Sequence, residues 1–343
     1  MDLSVVIVTH NVAPLVADCL ESLYRDCEGL EVEVFVVDSA SSDETVEVVR
    51  ERFAAARIVD SPVNVGFSRG NNLALGSCRG RYVALLNPDT VVTPGGISGL
   101  VSYLDRNPQV GAVGPRLRLA DGSIQVECAR RLPRLANLWQ WLFLLDKLDW
   151  AVRHRKRFSQ GRGDPPRASL LDGLNLLAWP RTRTCAVESI CGACMVVRAE
   201  VVKEVGMLDE ASPLYLDDID YCRRILDAGR PIHYVAESSV THLGGQSSGK
   251  LKRAGDLYAM QCHGIWLYLR KHEGGAAGAM FVAMVALASL VRLAICLVAL
   301  ALVWGGGRAF WLRQRAMVAG LARWALRWPR RAPRFGFASE APR

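Results

Sequence analysis

Apolar and β-branched residues fill Leu3–Thr9, Val32–Val37, Ile58–Val59 and Tyr82–Leu86 in short unbroken runs. Such runs are the pattern of strands buried on both faces of a parallel sheet. Between them, Val12–Tyr24, Ser41–Phe53 and Ser68–Cys78 repeat apolar residues at helical spacing, with Ser42 or Asp43 as an N-cap for the second. This alternation predicts an α/β fold: a mostly parallel, doubly wound sheet flanked by helices and joined by right-handed crossovers. Ligands of such sheets bind beyond the carboxyl ends of the strands. Thr9, Asp38 and Asp89 all fall at such ends.

The pattern is less regular further on. Ser123–Arg131 reads as a strand, and Val187–Arg198 is strand-like around Gly192-Ala193. Val201–Val205 and Leu214–Leu226 read as helices, and Pro231–Val235 as a strand followed by His242. Leu138–Val152 carries Trp139, Trp141 and Trp150 and runs into a basic cluster, the composition of a helix at a membrane interface. Residues 159–169 read as a loop. Ala276–Trp304 is apolar except for Arg292, long enough for one membrane span or for two shorter helices meeting at the arginine. Ala316–Trp328 looks like a second interfacial helix. The expected division is therefore a catalytic-type domain over 1–260 and an apolar, basic, helical membrane-association region over 261–343.

Composition sharpens this. The chain is 50% apolar and 22% charged, ordinary for a globular protein. Its net charge is +8, and the stretch from Gly305 to Arg343, with nine Arg against one Glu, carries all of it. A basic tail beside an apolar run points to an anionic membrane surface rather than to nucleic acid. The ten cysteines sit mostly in apolar runs, as reduced thiols do, and the lone CxxC pair of Cys191 and Cys194 lacks the second pair a zinc site needs. The N-terminus has no basic segment or cleavage site before its first strand, so the expectation is the cytoplasmic side of the inner membrane, peripheral or with one C-terminal span.

Several residues suit transfer chemistry at a diphosphate. Asp89, presented by the Asn87-Pro88 turn, is a candidate carboxylate ligand for Mg²⁺ or Mn²⁺, and His242 a second ligand. The Gly/Ser-rich stretch after His242, with Lys250, suits a loop closing over phosphates. Asp217, Asp218 and Asp220 crowd one helix start. Crowded carboxylates raise one another's pKa, which suits a general base, here assigned to Asp218, with Asp220 orienting or capping. Asp38 suits a pyrimidine or ribose contact. Asn64, Gly66 and Asn72 sit at a strand-to-helix turn whose N–H groups can meet a nucleotide.

Seven ordered blocks carry a resemblance: SVVIVTHN (Ser4–Asn11), VVDSASSDETVEVV (Val36–Val49), NVGFSRGNN (Asn64–Asn72), LLNPDTVV (Leu85–Val92), GAC (Gly192–Cys194), LYLDDIDYCRR (Leu214–Arg224) and THLGGQS (Thr241–Ser247). In this order, over about residues 3–250, the chain resembles the family 2 glycosyltransferases of GT-A fold, especially the rhamnosyltransferase-like branch. The resemblance implies donor-base contacts from Thr9, Asn11 and Asp38, and diphosphate and metal binding around Asp89 and His242. It also implies proton removal from the acceptor by Asp218, and an acceptor-side turn at Gly192-Ala193. It further implies a dTDP-L-rhamnose donor as first choice and a glycan or polyprenyl-linked acceptor in cell-surface polysaccharide synthesis. The chain departs from the family at His10, where Tyr is usual, at Ser39 for Asn, at Asp217 for Glu, and in a single metal carboxylate at Asn87-Pro88-Asp89.

Two other readings share some of these features. A sugar nucleotidyltransferase would want a Gly-rich basic loop after the first strand, where this chain has Thr9-His10-Asn11-Val12. A catalytically inactive scaffold of the same fold would keep the motifs and lose nothing on replacement of Asp218.

Overall fold

The computed structural model describes residues 1–143, 182–211, 216–244 and 254–302. These divide into two compact units, one of residues 1–130, 182–211 and 216–244, the other of residues 131–143 and 254–302. The readings for Leu138–Val152 beyond residue 143, for 159–169, for Lys250 and for Ala316–Trp328 lie outside the described residues.

The first unit is a mixed sheet with helices. Its elements in chain order are β1 (Leu3–Thr9), α1 (Ala13–Asp26), β2 (Val32–Ser39), α2 (Thr45–Arg52), β3 (Ala56–Ser61), α3 (Gly66–Leu75), β4 (Tyr82–Leu86), β5 (Thr90–Val92), α4 (Ser98–Arg106), β6 (Ala112–Arg118) and β7 (Ala129–Arg130). The second unit's helix α5 (Leu135–Leu142) follows, and then the first unit resumes with β8 (Cys185–Val187), β9 (Ser189–Ile190), β10 (Cys194–Arg198), α6 (Ala199–Val205), α7 (Asp217–Asp227) and β11 (Ile232–His242). Helices α8 (Ala254–His272) and α9 (Gly275–Leu302) complete the second unit.

The strand order is β3-β2-β1-β4-β10-β6-β11-β5, with β8 also paired to β11. β1 lies between β2 and β4, parallel to both, and Leu3, Val5, Val6 and Ile7 are fully buried. An unbroken apolar run is what a strand covered on both faces requires. The first four strands are thus the parallel half that the alternation foretold. Beyond β4 the direction changes: β10 runs antiparallel to β4 and β6, and β5 and β8 antiparallel to β11, while β6 and β11 are parallel.

Some local expectations need correction. α2 begins at Thr45 rather than Ser41, because Ser41, Ser42 and Asp43 are drawn into a loop around the Asn11 side chain. Ser123–Arg131 is not one strand: it holds a bridge at Ile124, a 3₁₀ turn over Val126–Cys128 and the two-residue β7. In the second unit, α9 buries Phe281, Val285, Ala288 and Arg292 along one stripe. Arg292 Nη2 donates to the Leu142 carbonyl of α5 at 2.6 Å. Arg292 therefore lies within one continuous helix, not at a junction between two. The stretch Gly275–Ala294 is long and apolar enough to cross a membrane, and the opposite stripe leaves Met280, Leu287, Leu290 and Leu293 exposed.

Candidate active site

At the carboxyl end of β1 and β2, parallel register sets Thr9 beside Asp38. The fully buried Thr9 hydroxyl donates to Asp38 Oδ1 at 3.1 Å, and Ser41 N donates to Oδ2 at 2.9 Å. Both oxygens of Asp38 are thereby aimed, and each retains a lone pair for a further donor. Asn11, at φ +55°, accepts at Oδ1 from the N–H groups of Ser42 and Asp43. Asparagine tolerates this left-handed conformation better than most residues. The His10 ring donates from Nδ1 to the Ser39 carbonyl at 2.8 Å. Ser39 in turn ties β2 to the start of α3: its hydroxyl donates to Asn64 Oδ1 and accepts from Val65 N. Asn64 Oδ1 also accepts from Gly66 N at 3.1 Å, closing a turn whose φ of +73° at Gly66 favours glycine.

Asn72 stands apart. Its carboxamide donates to Leu208 O and Glu210 Oε1 and accepts from Leu208 N. That is a clamp between α3 and the segment after α6, not a group turned to the strand ends.

The second cluster joins residues distant in sequence. β5 pairs antiparallel with β11 so that His242 faces Thr90, and Leu243 N donates to Asp89 O. Asp89 Oδ1 then lies 3.3 Å from His242 Nε2, both side chains being largely buried. His242 Nδ1 meets Gln125 Oε1 at 2.8 Å. A carboxamide oxygen only accepts, so Nδ1 holds the proton, and a neutral ring turns the Nε2 lone pair toward a carboxylate. A second ring proton or a cation held by both satisfies the pair. Ligands at adjacent octahedral corners, each about 2.1 Å from a small divalent ion, stand about 3 Å apart, so this separation fits. Among the described residues no three His, Cys, Asp or Glu gather around one point. Among those residues Asp89 and His242 form an edge of two groups.

The third cluster opens α7. Asp218 Oδ2 accepts from Arg130 Nη2 at 2.5 Å and from Gly192 N at 3.0 Å. Asp218 Oδ1 is buried with no hydrogen-bond partner among the described residues. Asp217 accepts from the Ser68 hydroxyl of α3 at Oδ2 and from the Asp218 N–H at Oδ1. Burial first, then the charge of Asp218, pushes the Asp217 carboxyl up to about 7. Burial alone would lower the basicity of Arg130, but the facing Asp218 carboxylate outweighs it and holds the guanidinium charged. Asp220 pairs along the helix with Arg224 Nε at 3.0 Å. Gly192 is needed for closeness: a Cβ there would lie 3.2 Å from both Asp218 Cβ and the Phe67 ring.

Hydrogen bonds link the clusters. Ser68 connects the Gly66 turn to Asp217, Asp218 binds Gly192 N, and Ala193 O accepts from Asn87 N at 2.9 Å, two residues before Asp89. The structure thus brings Asp38, Asn64, Gly66, Asp217, Asp218, Gly192, Ala193, Asp89 and His242 to one edge of the sheet. Arg130, Gln125, Ser68 and Phe67 complete it, and none of them takes a role of its own from the sequence. Arg130 and Gln125 lie in a stretch that reads only as a strand, and Phe67 and Ser68 lie inside the block NVGFSRGNN with no chemistry to single them out.

Known proteins resemble this chain in sequence and in fold. The family model described as glycosyl transferase family 2 matches residues 4–158. The N-acetylglucosaminyl-diphospho-decaprenol L-rhamnosyltransferase of Mycobacterium tuberculosis is 28% identical over 262 residues, covering 72% of this chain and 78% of its own. Succinoglycan biosynthesis protein ExoO of Rhizobium meliloti is 24% identical, covering 65% of this chain and 68% of its own. In structure, S. aureus TarS 1-349 in complex with UDP-GlcNAc superposes with a TM-score of 0.50 at 17% identity, covering 83% of this chain and 71% of that one. At that identity the likeness speaks for the GT-A fold alone.

Proposed function

The chain carries a family 2 glycosyltransferase domain and is rhamnosyltransferase-like in sequence, and we propose that it is an inverting transferase moving a sugar from a nucleotide-diphosphate donor to a lipid-linked acceptor. The observation that carries this reading is the linkage of Asp218, through Gly192-Ala193 and Asn87, to the turn bearing Asp89. A base and a diphosphate-binding edge are the two poles a single displacement needs. The first-choice donor is dTDP-L-rhamnose. The acceptor class follows the relative, whose name specifies a diphospho-decaprenol carrier.

Asp38 would receive the donor base, with Thr9 and Ser41 N fixing its two oxygens. The turn from Asn64 to Gly66 would lie along the nucleotide. Asp89 and His242 would hold Mg²⁺ or Mn²⁺, which when bound supplies positive charge to the leaving diphosphate. Asp218 Oδ1 takes the proton of the acceptor hydroxyl as its oxygen bonds to the anomeric carbon. The bond from that carbon to the donor phosphate oxygen breaks, and its electron pair leaves with the nucleoside diphosphate. One displacement inverts the configuration. Asp217, its carboxyl pushed up to about 7, is about half protonated at neutral pH and so spares Asp218 part of a second adjacent charge. The apolar face of α9 would meet the membrane holding the acceptor. Lys250 is proposed as a phosphate contact from sequence only.

The test is transfer of labelled rhamnose from dTDP-L-rhamnose to a polyprenyl-diphosphate sugar, with the product anomer read by NMR. Asp218→Asn should lose most turnover while binding donor normally. Retention of the donor's anomeric configuration, or full activity of Asp218→Asn, would refute the mechanism.

A further inference from the structure

Arg130 is absent from every motif that marks the site, yet it makes the shortest contact in it. It ends β7, whose two residues pair with Ser189 and Ile190 just before Gly192. From there Nη2 reaches Asp218 Oδ2 at 2.5 Å, the same oxygen that accepts from Gly192 N. One oxygen of the carboxylate is thus held from two directions, by a charged donor and by a backbone donor. The other, Oδ1, is buried with no partner among the described residues, and so is Arg130 Nε. Buried polar atoms without partners are rare in folded proteins and mark places where a ligand or a reaction supplies the missing bond. Here both belong to the same ion pair.

We infer that Arg130 is the positioning residue of the general base: with Gly192 N it fixes Oδ2 of Asp218 and reserves Oδ1 for the acceptor's proton. The inference rests on Asp218 being the base. A carboxylate free to rotate would present either oxygen and would form its bonds to the acceptor less often in line. A carboxyl beside a guanidinium ionises at lower pH than one without it. The groups facing Asp218 are few. Asp217 stands beside it on α7, Arg130 comes from β7, and the thiols of Cys191 and Cys222, both pushed up to about 12 chiefly by burial, stay uncharged. Glu127 lies beyond Cys191.

The experiment compares full-length wild type, Arg130→Met, Arg130→Lys and Asp218→Asn. The pH profile of kcat/KM is measured over about pH 5–9, together with the Asp218 carboxyl ¹³C resonance in aspartate-labelled protein, assigned by its loss in Asp218→Asn. Arg130→Met should lower kcat at least about tenfold, leave donor KM within about twofold, and move both the rising limb and the carboxyl titration up by about one pH unit or more. Arg130→Lys, which keeps the charge, should return part of each. An unmoved carboxyl titration with unchanged kcat in Arg130→Met overturns the inference. So does misfolding of Arg130→Lys while Asp218→Asn folds, since that assigns the arginine to the core. Full turnover by Asp218→Asn would instead refute the base assignment beneath it.

Discussion

Gln125 offers the sharpest test of the Asp89–His242 edge, because it touches the histidine and not the carboxylate. Its Oε1 accepts from His242 Nδ1 at 2.8 Å, which fixes the tautomer and leaves Nε2 facing Asp89 Oδ1 at 3.3 Å. Gln125→Leu keeps the volume and deletes the acceptor. The ring then loses its only hydrogen bond on the Nδ1 side among the described residues and is free to adopt the other tautomer or to turn. Loss of such an outer partner costs about 10–100-fold in metal affinity, or about 1.4–2.7 kcal/mol. Gln125→Glu keeps an acceptor and should hold affinity at or above wild type. Free Mn²⁺ is titrated by EPR with a nucleoside diphosphate present, so turnover is not needed. The expected order is Asp89→Asn weakest, then Gln125→Leu, then wild type. If Gln125→Leu binds Mn²⁺ like wild type while Asp89→Asn does not, the tautomer argument is wrong. If Asp89→Asn also binds Mn²⁺ like wild type, Asp89 is not a ligand.

Three more outcomes are expected. Gly192→Ala places a Cβ 3.2 Å from Asp218 Cβ and from Phe67; it should cut kcat about tenfold through displacement of the base with donor affinity unchanged, read by steady-state kinetics and calorimetry. Asp217 has its carboxyl pKa raised to about 7 from 3.8, so the native state binds the proton more tightly than the unfolded chain. The resulting stability is complete below about pH 4 and is lost as pH rises through 7, and Asp217→Asn should remove that dependence from a Tm series. Leu287 and Leu290 are 46% and 65% exposed on α9; the double change to Asp should reduce co-sedimentation with anionic lipid vesicles, and unaltered binding would exclude this face as the contact.

The parts of the site legible in sequence are those built by local order. The runs Leu3–Thr9 and Val32–Val37 read as buried strands of a parallel sheet, and their pairing in the structure sets Thr9 against Asp38. The acidic start of α7 was visible as three carboxylates in four residues. What joins them was not. His242 reaches Asp89 through the pairing of β5 with β11, and no periodicity announces that a three-residue strand will run antiparallel to a strand far down the chain. Asn72 illustrates the opposite failure. In sequence it completes a Gly/Asn cluster, but tertiary structure gives its carboxamide to Leu208 and Glu210. Arg130 was unreadable because its role depends on a two-residue ladder, too short to leave a pattern.

That ladder has a further implication. Strands β7 and β9 bracket residues 131–188 and are hydrogen-bonded to each other through Ala129–Ile190 and Arg130–Ser189. The two ends of that stretch are therefore stitched together at the root. Short of β8, which pairs with β11, a change of length within it leaves the sheet's ladders intact. A lineage could therefore trade one acceptor for another by rewriting the excursion, while the arginine at its base keeps the same grip on the carboxylate.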